Sequence, residues 1–137
     1  MKEHVALVIR DDCRKILFIK RSMKKSTLPG AWSFASGTVE FEEDFKNTVK
    51  REAKEELGID VQVEGVIAIK QLPEFSVKLI FVLCFIVNGE LMIKEFDEIE
   101  KFEWMRFSDF FKRFEDNEIG HGLIWLRNKP EIWMKYD

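Results

Sequence analysis

The chain has 137 residues, 46% of them hydrophobic and 34% charged, with a formal net charge of −3. That length supports one ordinary core and is short for two domains, so residues 1–137 are expected to form a single domain. The acidic balance excludes the basic stripe of a nucleic-acid-binding module, and any phosphate-bearing ligand must be held by local features.

Residues 5–9 form an apolar run too short for the core of a signal peptide, and they read as a first strand. After the polar tetrad Asp11, Asp12, Cys13 and Arg14, residues 16–19 read as the second strand of a hairpin. Residues 20–30 are basic and contain Pro29 and Gly30, which predicts a surface loop ahead of a short strand at 32–35. Between 44 and 57 there is no Gly or Pro, and Phe45, Val49, Ala53 and Leu57 recur at every fourth position. This is the spacing of one helical face, closed by Gly58 as a C-terminal cap. Residues 61–69 and 77–87 have strand character, followed by the turn pair Asn88 and Gly89 and further short strands at 91–93 and 102–105. Ser108 is expected to cap a helix over 109–114, and 118–127 to form a last helix, weakened by Gly120 and Gly122. The pattern predicts an α+β fold with a mixed sheet covered on both faces.

No apolar run approaches the ~20 residues needed to span a bilayer, so no membrane insertion is expected. Cys13 and Cys84 suggest no disulfide framework and fit a reducing cytoplasm.

The helix at 44–57 carries the informative chemistry. At about 100° per residue its apolar positions form one stripe, the lysines at 46, 50 and 54 face solvent, and Glu52 and Glu56 project within about 20° of Phe45. Glu55 lies further round. Like charges at i, i+3 and i, i+4 destabilise a helix, and two carboxylates ~5 Å apart repel by about 3 kcal/mol at an effective dielectric of 20. A hard divalent cation would relieve that repulsion, and Mg²⁺ suits carboxylate oxygens and substrate phosphates. His4 and His121 have no spacing that suggests zinc, and they read as structural or exposed residues.

Gly37, Glu43, Arg51, Glu52, Ala53, Glu55, Glu56, Gly58 and Ile59 match the pattern GX5EX7REUXEEXGU, with U aliphatic, at every defined position. On these residues the chain resembles the Nudix hydrolase family, whose box would occupy residues 37–59. The resemblance implies a Nudix fold, an α/β/α sandwich with a mixed sheet and a loop-helix-loop motif. It implies cleavage of the pyrophosphate linkage in a nucleoside diphosphate derivative with Mg²⁺ or Mn²⁺ as cofactor. Glu52 and Glu56 would be principal metal ligands, Glu55 a third ligand or an activator of the attacking water, and Arg51 would pair with Glu43 to hold the geometry.

Two departures stand out. Ala35, Ser36 and Gly37 replace the Pro-Gly-Gly of many members, leaving the Ser36 carbonyl as the backbone metal ligand, and Glu42 stands where many members have Gly. In the acidic segment at 94–104, Glu98 is the favoured extra ligand or general base, with Glu95 and Asp97 behind it. A merely solvated acidic loop is the other reading.

Substrate contacts are expected from Trp32, Phe34 or Phe75 stacking on a base, although each also suits a core position. Lys20, Arg21, Lys24 and Lys25 can meet phosphates or simply form a solvated loop. Asn117 resembles the Asn that reads the base edge in the MutT-like branch, which points to a nucleoside triphosphate. ADP-ribose, other sugar nucleotides and dinucleoside polyphosphates remain open, as does a non-catalytic nucleotide-sensing domain. The expected partner is a small-molecule nucleotide, with neither nucleic acid nor membrane. Members are often homodimers, which makes a homodimer one expected state.

Overall fold

The computed structural model describes residues 1–137. Its strands are β1 (Lys2–Ile9), β2 (Ile16–Arg21), β3 (Trp32–Ser33), β4 (Ala35–Thr38), β5 (Asp60–Leu72), β6 (Val77–Asn88) and β7 (Ile99–Met105). The helices are α1 (Phe45–Leu57), α2 (Phe107–Arg113), α3 (His121–Arg127) and α4 (Pro130–Trp133). One sheet runs β4-β1-β6-β5, with β1 parallel to β6 and the other pairs antiparallel, and a second antiparallel sheet runs β3-β2-β7.

Strand residues alternate between two cores. Val5, Leu7, Ile9, Leu17, Ile19, Ile80 and Val82 pack with Val49, Ala53 and Leu57 of α1. Their neighbours Ala6, Val8, Ile16, Phe18, Phe81 and Leu83 pack with α2 and α3 through Phe107, Phe110, Leu123 and Leu126. The period of two along each strand thus builds an α/β/α sandwich from two sheets.

The expected β1–β2 hairpin does not form. Asp11 folds the turn by accepting hydrogen bonds from the Cys13 and Lys15 N–H groups at 2.8 Å, but only Arg10 and Ile16 bridge. Both edges of β1 are taken, one by β4 and the other by β6, so β2 enters the second sheet.

Residues 91–93 do not form a strand. They run along the end of α1, where the Met92 and Lys94 N–H groups donate to the carbonyls of Leu57 and Glu56 at 3.0 Å, two groups with no partner inside the helix. α2 begins at Phe107, and its Ser108 N–H is met by the Asp137 carboxylate at 3.0 Å, so the cap comes from the far end of the chain. The helix expected over 118–127 is α3, which starts at His121 because Ile119 bridges Trp32 and the Gly120 N–H is held by the Trp32 carbonyl, and it is not the last, since α4 follows at Pro130. No helix is long and apolar enough to cross a membrane.

Candidate active site

α1 forms where the sequence expects it because both ends are capped. The Asp44 carboxylate accepts from the Asn47 N–H at 2.8 Å, and Gly58 adopts the left-handed φ of 69° while its N–H turns back to the last carbonyls. The helix carries Glu52 and Glu56 inward on the face that also buries Val49, Ala53 and Leu57. Beside it, β4 passes so close that a Cβ on Gly37 would lie 2.3 Å from Glu52 Cδ, and only glycine leaves room there for the carboxylate.

Arg51 braces this helix. Its Nε donates to Glu43 Oε2 at 2.8 Å and its Nη2 to Glu43 Oε1 at 3.1 Å and the Thr38 carbonyl at 3.1 Å. Nη1 reaches Glu52 Oε1 at 2.9 Å and Glu55 Oε2 at 3.3 Å. Glu43 also accepts from Thr48 Oγ1 at 2.7 Å and the Glu40 N–H at 3.2 Å. The Arg51 guanidinium, then Thr48 and the Glu40 amide, hold the Glu43 carboxyl down to about 2. Just before it, Glu42 sits at φ 64°, the left-handed region in which glycine is the unstrained choice.

Glu52, Glu55, Glu56 and Ser36 line one cavity of about 560 Å³, together with Glu40, Glu95 and Glu98. Six carboxylates therefore face three cations, Arg21, Lys25 and Arg51. Burial first, then the charges of Glu52, Glu95 and Glu98, push the Glu56 carboxyl up to about 9. Burial also raises Glu52, with Arg51 opposing, and raises Glu95, with Glu98 and Glu55 adding to the shift.

One atom tests the fit of a cation. Glu56 Oε2 is buried and has no hydrogen-bond partner, although a buried polar atom nearly always has one. As the side chains stand, no three of them converge closely enough to share an ion, because Arg51 holds Glu52 and Glu55. The donors are all hard oxygens, with no cysteine lining the cavity and His4 as its only imidazole. The carboxylate and carbonyl oxygens suit a hard divalent ion.

The other expected contacts are spread more widely. Arg21 lines the cavity with its Nε and Nη2 on Thr27, and Phe34 touches it while packed among Phe18, Phe81 and Phe107. Trp32 is buried against Phe114, outside the cavity lining, with the Lys101 ammonium over its ring. Asn117 is exposed on a turn and lines neither the cavity nor the smaller, more apolar pocket of about 150 Å³ beside it. That pocket shares Arg21, Phe34 and Ser36 with the cavity and is completed by Ala6, Leu79, Phe81 and His121.

Sequence reasoning passed over His4, Glu40 and Thr48. The strand parity of His4 and the Glu40-to-Glu43 spacing were available signals, whereas nothing in the pattern marks Thr48 as the hydroxyl that steadies Glu43.

A sandwich whose capped helix delivers three glutamates to one cavity, braced by its own Arg51 and by Glu43 of the preceding loop, defines a class of loop-helix-loop folds. The chain belongs to the Nudix family: the NUDIX domain profile matches residues 2–125. It is 26% identical to Nudix hydrolase 2 of Arabidopsis thaliana over 103 residues, covering 73% of this chain and 37% of that protein. It is 35% identical to Nudix hydrolase 10 of the same plant over 83 residues, covering 58% of this chain and 30% of that one. The matches thus span about a third of the length of these curated relatives. Among solved structures, the MutT protein of Methanosarcina mazei superposes with a TM-score of 0.75 at 20% identity, over 99% of this chain and 92% of that one, a likeness of fold. An ADP-ribose pyrophosphatase of Streptococcus suis superposes with a TM-score of 0.62 at 28% identity, over 79% of this chain and 75% of that one.

Proposed function

We propose that this chain hydrolyses the pyrophosphate linkage of a nucleoside diphosphate derivative, with a nucleoside triphosphate as the favoured substrate. The observation that carries the reading is the buried, unpartnered Glu56 Oε2 in a cavity lined by five further carboxylates. Glu52, Glu55 and Glu56 and the Ser36 carbonyl would hold Mg²⁺ or Mn²⁺. Bound there, the ion supplies charge neutralisation to phosphate oxygens and acidifies water.

Arg51 keeps Glu52 and Glu55 oriented, with Glu43 and Thr48 fixing the guanidinium in turn. Glu98, which lines the same cavity, accepts the proton of the water that attacks phosphorus, with Glu95 as the second candidate. A phosphate or phosphomonoester leaves on one side and the rest of the nucleotide on the other. Arg21 and Phe34 stand between the cavity and the apolar pocket, where a phosphate chain would give way to a base or sugar. A sugar nucleotide is the second reading, supported by the 28% identity to an ADP-ribose pyrophosphatase. Two free thiols, Cys13 exposed and Cys84 buried, support a reducing compartment such as the cytoplasm.

The test is a phosphate-release screen over nucleoside triphosphates, sugar nucleotides and dinucleoside polyphosphates. Activity should vanish on chelation and return with Mg²⁺ or Mn²⁺; turnover indifferent to exhaustive EDTA would overturn the reading. Glu98→Ala should slow turnover more than Glu95→Ala, and the reverse order exchanges their roles.

A further inference from the structure

A phosphate chain entering a cavity lined by six glutamates needs a cation with donors to spare. Arg51 has none, because its five N–H groups are committed to Glu43, Glu52, Glu55 and the Thr38 carbonyl. Arg21 spends Nε and Nη2 on the carbonyl and hydroxyl of Thr27, which leaves Nη1 as its free end. Lys25 also has donors to spare, and it alone of the three cations is bonded to Glu98. Its Nζ bonds a single acceptor, the Glu98 carboxylate, and an ammonium carries three donors.

The surroundings fix that ammonium in place. The Ser22 N–H donates to the Glu98 carbonyl at 2.9 Å, and the Lys25 N–H donates to the Ser22 carbonyl at 3.2 Å. Nearby, strands β2 and β7 are joined by Lys20 with Glu100 at 3.0 Å, and the loops next to them by Lys24 with Asp97 at 3.1 Å. The loops are therefore tied without Lys25, whose side chain is only 24% exposed and lines the cavity.

We propose that Lys25 is a substrate-binding and positioning residue: its Nζ donates to a non-bridging phosphate oxygen while its bond to Glu98 holds that carboxylate towards the reacting phosphorus. The inference rests on the hydrolase reading and adds a member to its site.

The experiment compares wild type with Lys25→Met, Lys25→Arg and the charge swap Lys25→Glu with Glu98→Lys. Each is measured for melting temperature, for affinity to inorganic pyrophosphate with Mg²⁺ by calorimetry, and for KM and kcat on the best nucleotide of the screen. Lys25→Met should weaken pyrophosphate binding and raise KM on the order of tenfold, with the melting temperature within about 2 °C of wild type. Lys25→Arg should recover most of the affinity, and the swap should melt like wild type without restoring affinity.

Undiminished pyrophosphate binding in Lys25→Met overturns the proposal, as does a wild type that binds no pyrophosphate. Full recovery of affinity in the swap also overturns it and reduces the pair to a tether. A wild type that binds pyrophosphate through Lys25 yet hydrolyses no nucleotide sinks the hydrolase reading while supporting the phosphate contact.

Discussion

The α1 face of the sandwich and the face covered by α2 and α3 rest on the same strands but are built from opposite materials. Under α2 and α3 the side chains are rings: Phe18 stacks on Phe110 with centroids 3.9 Å apart, and Phe81 stacks on Trp125 at 5.6 Å. Under α1 the aliphatic stripe of Val49, Ala53 and Leu57 shares its helix with Glu56, which is buried without a full set of partners. One face stabilises the fold, and the other tolerates a destabilising charge cluster because its neighbours hold the helix in place. Damage to the two faces should therefore separate cleanly into loss of stability and loss of activity.

The largest expected effect is on the aromatic side. Phe18→Ala should cost about 3–5 kcal/mol of stability, read by denaturant unfolding, because it empties a fully buried ring site contacted by Phe34, Phe107 and Phe110. A loss below about 1 kcal/mol would mean that this core is looser than its stacking suggests.

Glu56→Gln should do the reverse. Turnover should fall at least about 100-fold, while the chelated protein melts no lower than wild type, since an amide does not bear the cost of keeping a carboxyl protonated at neutral pH. A variant with normal turnover would remove Glu56 from the site.

The pH dependence of the chelated protein sharpens the contrast. Glu56 is raised from an ordinary 4.5 to about 9, so its contribution to stability is fully present below about 4.5 and is lost as pH climbs to about 9. Glu43 has the opposite sign: held down at about 2, it contributes above 4.5 and loses that contribution as pH falls towards 2. Wild-type melting temperature should decline between pH 5 and 9, and Glu56→Gln should flatten that slope.

The smallest effect is expected at Glu42. Replacing it by Gly relieves a left-handed φ of 64°, costing about 1–2 kcal/mol, but frees the unfolded chain by about 0.4–1 kcal/mol. The net gain should be under about 1.5 kcal/mol, seen as a small rise in melting temperature.

Much of this molecule was legible in the chain itself. The helix at Phe45–Leu57, its C-terminal cap at Gly58, and the spacing of Glu43, Arg51, Glu52, Glu55 and Glu56 are local, because helical period and capping act within a few residues. Where β2 pairs, why residues 91–93 serve α1 instead of forming a strand, and how Asp137 comes to cap α2 were decided by tertiary structure. Those outcomes depend on which edges and backbone groups remain unsatisfied once distant segments have packed. The same reason hid the pairing of Lys25 with Glu98 and the burial of Trp32: each is set by a neighbour far along the chain, and local composition carries no record of it.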